Sequence, residues 1–528
     1  MRFLSQRSIF AFAAAGLLGV GCGDSGTTPS SGGSDSGGSP ATGGAPSAGG
    51  APNTGGDVNM GGAVGDGGSA PMGGMGGMGG DGGTGGAPGP TMNCAPENGA
   101  VVPASCGVFV TVNGDDEAGD GTPANPYKSV TKAAAQSAGK PVYVCSGLYT
   151  ESIALNGEHQ VYGGLDCNTG GDWQWQLDQV STVTGLPDQI ALKVLGENQD
   201  VGVIAGFDIL AADATVPSGS SIAAIFGNVH YEIRRVSFIA GNGAAGLPGV
   251  DGASGQAGIA GANGVSTSGN VLGGVSQCGG GDGGRGGYRG LNNSVSNGAA
   301  GTPGPGLALQ HNGGLTAFCA GLCAPCSAGG FGEAGANGAD GADCSSQGFV
   351  DDNGFMPALA GNGSSGSPGS GGGGGGGAMT IYYTGGGGGS GGCGGTGGTA
   401  GGSGGSSIAV ISLNTVLDFS EVSMQVSNGG DGAAGGAASP FSFGGSGGAA
   451  YNGANDNSCA GGAGGFGGSG GKGGHGAGGH AVLVVYQGSE PVLTGVDLVT
   501  PTPDQAGSVG ASQAQPGIAA VMLTLPAP

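Results

Sequence analysis

Several groups of residues in this chain could do chemistry. Cys319-x-x-x-Cys323-x-x-Cys326 places three thiols within eight positions. Thiolates at that spacing can ligate an iron–sulfur cluster, and in an oxidising compartment they pair as disulfides instead. Asp115, Asp116, Glu117 and Asp120 form an acidic loop with glycines, whose hard oxygens suit Ca²⁺. That loop lacks the full alternating EF-hand pattern, and an Asp-Gly turn accounts for it as well. Arg234 and Arg235 offer paired cations, with no acid cluster that the sequence places beside them. The five histidines (His159, His230, His311, His475 and His480) have no metal-ligand spacing, and His475 and His480, in a Gly tract, read as solvated. No catalytic constellation emerges, and no cofactor is expected beyond Ca²⁺ at Asp115, Asp116 and Asp120.

The elements that would position these residues are a recurring apolar pattern. SIAAIFGNVHYEIRRVSFIAG (221–241), SIAVISLNTVLDFSEVSMQVSNG (407–429) and HAVLVVYQGSEPVLTGVDLVT (480–500) each read as a strand, a turn and a second alternating strand. Aligning Ile222, Ile408 and Ala481 brings Val236-Ser237-Phe238, Val422-Ser423-Met424 and Val496-Asp497-Leu498 together, with Phe207-Asp208-Ile209 one rung earlier. Period-two alternation turns the flanking apolar residues inward and the central polar one outward. Same-phase strands at irregular chain separation predict stacked rungs with inserts on one side, whereas a β-sandwich gives no reason for the shared phase. Outward Asp208 and Asp497 then share a column. At roughly 4.8 Å per rung they stand about 14 Å apart, too far to act as a glycosidase pair.

The N-terminus carries Arg2 and Arg7, an apolar run from Ile9 to Val20, and small residues before Cys22. The run is short for a membrane span and suits an export signal. This segment resembles the lipobox of bacterial lipoproteins, although Gly19 holds the usual Leu position and Leu18 lies one earlier. The resemblance implies cleavage after Gly21, lipidation of Cys22, and a membrane partner through the lipid, in the cell envelope at the outer membrane or cell surface. Residues 23–92 are Gly, Ser, Thr, Ala and Pro with few apolar side chains, the composition of a flexible tether. Net charge is −24, so nucleic acid and anionic headgroups are poor partners. In an exported chain the cysteines are expected to pair: Cys94 with Cys106, Cys145 with Cys167, and Cys319, Cys323, Cys326 and Cys344 among those stapling the Gly-rich regions, with one thiol left over.

Residues 108–167 carry Gly114 to Gly121 as an Asp-Gly-rich loop, a helix over about Ser129 to Ser137, and Val142-Tyr143-Val144 before Gly147-Leu148-Tyr149. This run resembles the opening of pectate lyase-like right-handed parallel β-helices. The resemblance implies an all-β fold whose short N-terminal helix covers the open end of the stack. It implies little about activity, since several families with this opening have no assigned function. The Cys319/Cys323/Cys326 spacing is also that of radical SAM enzymes, but an exported Gly-rich insert is the wrong context for that chemistry.

Two Gly-rich tracts leave the scaffold at matching points, Gly241-Asn242-Gly243 and Gly430-Asp431-Gly432, and return near Ser406 and Gly479. Glycine occupies every third position from 243 to 264 and from 461 to 479, and 26 of the 45 residues from 361 to 405. Three readings stand open: flexible loops, collagen, and a bundle of polyglycine II helices such as those of some phage tail-fibre tips. The tracts are PGRS-like in composition. The chain divides into a signal (1–21), a tether (22–92), a first scaffold part (93–240), an insert (241–405), a rung (406–428), a second insert (429–478) and closing rungs (479–528). The function expected is structural and adhesive: a lipid-anchored, non-catalytic surface protein displaying glycine-rich modules to cell-surface glycans or matrix proteins. A carbohydrate-active β-helix enzyme (lyase or glycoside hydrolase) and a passive envelope or spore-coat component are the alternatives.

Overall fold

The computed structural model describes residues 94–528, apart from 97–98, 168–171, 268, 270, 293, 310, 320–322, 381, 454–455 and 510–513. Among these residues the fold is all-β, with one seven-residue α-helix, Val130–Gln136, and one 3-10 turn, Pro503–Gln505. A 15-stranded, almost wholly parallel sheet runs through the chain, and its registers sort the strands into three faces visited in turn. The first face stacks Val108–Val110, Val142–Cys145, Gln160–Asp166, 201–205, 229–234 and Val416–Ser420. The second stacks Gly147–Thr150, Ser181–Thr184, 207–210, 236–239, Val422–Gln425 and Val496–Leu498. The third stacks Ile153–Asn156, 192–195, 221–227, Ser407–Leu413, Ala481–Gln487 and Ala519–Thr524.

The repeats expected from sequence pair as aligned on the second face: Ser237, Ser423 and Asp497 share one row, and Phe238, Met424 and Leu498 the next. On the third face the last copy is displaced by one residue. Ile408 pairs with Val482 and Ala481 with Ser407, so the interval to Val496 equals that from Ile222 to Val236. Inward residues such as Val236, Phe238, Val422 and Met424 are buried in a continuous core. Strands on the third face are apolar on both sides because a hairpin from the first insert, Phe349–Asp351 with Gly354–Met356, covers them outside: Val350 and Phe355 pack on Ile222, Ile408 and Val482. At the corners the chain turns through left-handed conformations. Asn228, Asn414 and Gly488 stack between the third and first faces, and Gly206, Arg235, Glu421 and Gly495 between the first and second.

The helix covers the first rungs. Ser129 caps it by accepting from the Lys132 amide, Glu151 accepts from the amides of Val130 and Thr131, and Val130, Ala133 and Ala134 join the core.

All long excursions lie between the second and third faces, at 240–406 and 426–480; the same corner is crossed by 151–152, 185–191, 211–220 and 499–518. The two Gly-rich excursions form one bundle of extended rods hydrogen-bonded at three-residue intervals. Rod 243–264 runs parallel to 428–449: the amides of Gly243, Gly246, Gly249, Gly252, Gly258, Gly261 and Gly264 reach the carbonyls of Asn428, Asp431, Ala434, Ala437, Phe443, Ser446 and Ala449. Loose loops have no such repeat, and a collagen triple helix has neither antiparallel neighbours nor more than three strands.

The centre of this bundle is rod 370–377. Its amides donate in rotation to three neighbours: Ser370 and Gly373 to Glu333 and Gly330, Gly371 and Gly374 to Thr302 and Ala299, Gly372 and Gly375 to Gly389 and Gly386. Its carbonyls accept from three other rods, through Gly284 and Gly287, Gly462 and Gly465, and Gly314. With six neighbours no direction is left for a side chain. A Cβ on Gly371, Gly372 or Gly373 would lie 1.9, 2.3 or 2.2 Å from a carbonyl oxygen of a different rod (Asp282, Gly462 or Asn312). Rods at the rim keep one glycine in three, because only one of their three sides faces the bundle.

Gly388→Ala tests this packing, since its Cβ would meet the Gly372 oxygen at 1.9 Å. Backbone cannot yield as a side chain does, so a loss of at least about 3 kcal/mol is expected by urea unfolding, at or beyond the upper end for overpacking. Exposed Ala253→Ser should change stability by less than about 0.5 kcal/mol.

Candidate functional surface of the glycine bundle

The candidate residues follow from how rim rods satisfy their outward amides, which no interior neighbour reaches. Antiparallel pairs use Ser or Thr. The Thr399 amide donates to the Val250 carbonyl while its hydroxyl accepts from the Val250 amide at 2.7 Å. Thr396 with Ala253, Ser390 with Ile259, Thr384 with Val265, Ser367 with Ala336 and Ser364 with Ala339 repeat the arrangement. Parallel pairs use Asn or Asp just before the inward residue. Asp340 accepts from the Lys472 amide at 2.7 Å while the Gly341 amide donates to the Lys472 carbonyl at 2.7 Å. Asn337 with Ser469, Asp343 with His475, Asn242 with Asn428, Asp251 with Ala437 and Asn263 with Ala449 do the same. Sequence reasoning missed this ladder. Its signal is Asx before the period-three residue.

The same surface carries an aromatic cluster. Phe441, Phe443 and Phe466 pack edge-on with centroids 5.4–5.7 Å apart, yet remain about half exposed, at 51%, 63% and 49%. No charged residue occurs at 432–455 or 457–471. A contiguous aromatic patch on a rigid, uncharged support is the composition of a contact surface.

Disulfides fasten the bundle. Cys278–Cys393 and Cys326–Cys459 close separations of 115 and 133 residues. Constraining such loops in the unfolded chain is worth roughly 4–5 kcal/mol each in the chain-entropy account. Cys94 pairs with Cys106 and Cys145 with Cys167, and among the described residues no cysteine is free. Cys326 is bonded to Cys459 and so is not free to ligate a cluster; the backbones of Cys319 and Cys323 pair in register across a short hairpin. Cys344 is fully buried and disulfide-bonded. Cys22 lies outside the described residues.

The acidic loop is tied to backbone amides. Asp115 accepts from Glu117 and Ala118, Asp116 from Lys128 and Ser129, and Asp120 from Thr122. These bonds hold the carboxyls of Asp115 and Asp120 below the usual aspartate range; at Asp116 burial pulls upward, and the bonds from Ser129 and Lys128 outweigh it. Among the described residues no group of three or more His, Cys, Asp or Glu side chains is placed to hold a metal ion. Arg234 pairs with Glu232, while Arg235 lies over Trp175 and donates to the Leu177 and Gln179 carbonyls. Asp208 and Asp497 are separated by Ser237 and Ser423, whose hydroxyls bond one another at 2.9 Å.

His480 departs from expectation. It is 1% exposed rather than solvated, because the hairpin of the first insert and the last rung close over it. Its Nε2–H donates to the Gln347 carbonyl at 2.8 Å, its Nδ1 accepts from the Ile518 amide at 3.0 Å, and Phe355 meets its ring edge-on. Both nitrogens are thus committed to the neutral form, and burial lowers its pKa. His475 is half-buried and accepts from the Gly435 amide through Nδ1.

No family model matches the chain, and no curated protein or solved structure is significantly similar to it. The surface therefore stands on its own geometry, which two measurements check. Asp340→Ala uncaps the Lys472 amide and should cost about 1 kcal/mol by urea unfolding. For His480, the unfolded chain binds the proton below about pH 6.5 and the native state resists it, so stability should be full above that pH and fall as pH is lowered through it. His480→Gln should flatten that limb of the stability–pH curve, with the contribution of His159, also lowered by burial, remaining. Loss from Asp115, Asp116 and Asp120 follows only below about pH 4, since their folded pKa values are depressed.

Proposed function

We propose that the chain is a non-catalytic, lipid-anchored protein of the bacterial cell envelope, in which a right-handed parallel β-helix displays a polyglycine II bundle as a rigid adhesion module toward cell-surface glycans or matrix proteins. The observation that carries this reading is the bundle itself: rods hydrogen-bonded to one another at three-residue intervals, with half-exposed Phe441, Phe443 and Phe466 on an uncharged stretch. The stacked registers of the three faces support the β-helix. The engagement of Arg234, Arg235, Asp115, Asp116 and Asp120 in intramolecular bonds supports a structural role for the polar residues that chemistry would otherwise claim. Disulfides closing long separations support export to an oxidising compartment. The lipid anchor rests on the sequence around Cys22.

Cells expressing Cys22→Ser should release the protein from the membrane fraction into the soluble fraction and lose labelling by a fatty-acid precursor. Cells displaying Phe441→Ser/Phe443→Ser/Phe466→Ser should retain the protein at the surface and lose attachment to matrix material. A Cys22→Ser protein that stays with the membrane would refute the anchor, and unchanged attachment of the triple variant would refute the adhesive role of this surface.

A further inference from the structure

On one rod of the bundle a row of backbone donors begins open and ends closed. The outward row of rod 458–480 consists of Ala460, Ala463, Phe466, Ser469, Lys472 and His475, whose carbonyls accept in turn from residues of the neighbouring rod, such as Gly329, Gly332, Gly335 and Gly338. The amides of Ser469, Lys472 and His475 are capped by Asn337, Asp340 and Asp343. At the earlier positions the neighbouring rod presents Ala328, Phe331 and Ala334, which carry no acceptor. The amides of Ala460, Ala463 and Phe466 make no hydrogen bond among the described residues. Ala460 and Ala463 are half-buried and Phe466 half-exposed, so the row lies at the surface.

The rod also has room beside it. It is bonded to four rods, 384–404, 361–376, 329–344 and 430–448, whereas the central rod 370–377 has six. The open donors recur every three residues, about 9 Å for an extended three-fold strand, the interval at which every other contact in the bundle is made. Phe441 and Phe443 border the row through their contacts with Phe466, and exposed Phe331 lies on the neighbouring rod beside Ala463.

We propose that this row is a docking site for strand addition, and that its occupant is an extended, uncharged Gly-Gly-x strand of a partner polypeptide, with x apolar. Carbonyls at every third position accept from Ala460, Ala463 and Phe466. Glycine on the two sides facing the bundle permits the close approach that the interior rods show. The third side chain lies against the phenylalanines. This extends backbone strand addition, familiar at sheet edges, to a three-fold lattice, and it rests on the reading of the bundle as a contact module. Acidic strands are disfavoured because the lining offers no cation at 432–455 or 457–471, and the neighbouring rod carries exposed Glu333 beside Ala334.

The test uses the full oxidised chain and a synthetic peptide of five Gly-Gly-Met repeats, with binding followed by calorimetry and by amide hydrogen exchange at Ala463 and Phe466. Saturable one-to-one binding that slows exchange at both amides is expected, with a Gly-Gly-Asp peptide binding at least tenfold more weakly. Ala334→Asn, which copies the Asn337 cap one repeat earlier, should slow exchange at Phe466 without peptide and weaken binding about tenfold. Asn337→Ala, which opens Ser469 and lengthens the row, should tighten binding several-fold. General stickiness of the phenylalanines predicts no change from either variant, and that result overturns the proposal, as does absence of saturable binding to the unmodified chain at millimolar peptide. Concentration-dependent dimers of the unmodified chain that Ala334→Asn abolishes would assign the row to a second copy and likewise overturn it. Because the assay is made in solution, it can fail while attachment of cells persists, and the reverse.

Discussion

A buried backbone amide must find an acceptor, and at the centre of the bundle that requirement is met chiefly by backbone carbonyls. Rod 370–377 turns successive amides toward three neighbours and receives bonds from three more. Direct N–H to O contact between rods fixes a spacing at which a Cβ lies about 2 Å from a neighbouring oxygen. Composition, burial and the position of every larger side chain follow from that spacing. Stability here differs in kind from that of the scaffold, where Phe226, Tyr231 and Phe238 bury apolar area. In the bundle each hydrogen bond contributes about 1 kcal/mol net, against a large entropic cost of ordering glycine. Lateral bonding in every direction, and long-range disulfides such as Cys278–Cys393 and Cys326–Cys459, offset that cost.

The scaffold supplies the register that the glycines lack. Ile239 pairs with Gln425 at the end of the second face, and the parallel alignment continues into the rods as Gly243 bonded to Asn428. On the return, rod 384–404 follows 459–477 in parallel, and the same pairing arrives at Ser407 opposite Ala481. A three-residue glycine repeat can slip without penalty, but strands with one buried face cannot. Sheet register thus enters and leaves the bundle at both roots. This explains why both excursions share one corner: each insert meets its neighbours in the order and spacing already set by stacked rungs. The inserts are one body, since rods from the second fill sides of rods from the first.

Much of the scaffold is legible because its signals are local. The Ser129 cap, the helix behind it, the alternation at Val236-Ser237-Phe238 and the turns that end each strand depend on neighbouring residues. The last copy of the repeat is displaced by one because Ala481 is small and apolar like its neighbours; Ser407 sits opposite it and binds the Ser427 amide, a partner twenty positions away. In the tracts the period of three is visible, and so is the density of glycine. Which rod lies beside which is not, since the pairings join residues as near as Gly375 and Gly386 and as distant as Gly243 and Asn428 through chemically identical groups. His480 shows the same limit. Among glycines it reads as solvated, and its burial comes from a hairpin more than a hundred residues earlier in the chain. Disulfides between Cys278 and Cys393 and between Cys326 and Cys459 follow from that lattice.

The Asx and hydroxyl caps place this bundle beside β-sheets in one respect. Any lattice held by main-chain bonds has an edge, and an edge with free donors invites another strand. Sheets blunt their edges with charge, bulges or proline; here the side chain of the adjoining rod folds over the amide and accepts from it. Asp340 and Asp343 do this through a carboxyl oxygen and Asn337 through an amide oxygen, so acceptor geometry is the common element. Part of the acidity of the chain is therefore the by-product of a cap that Asn fills equally well. It also follows that uncapped amides carry information. Many of the rim donors are covered by a side chain of the adjoining rod, Thr or Ser in antiparallel pairs and Asx in parallel ones. Along 458–480 the capping series stops where phenylalanine replaces it, so one rod passes from a sealed edge to an open one with no change in its backbone.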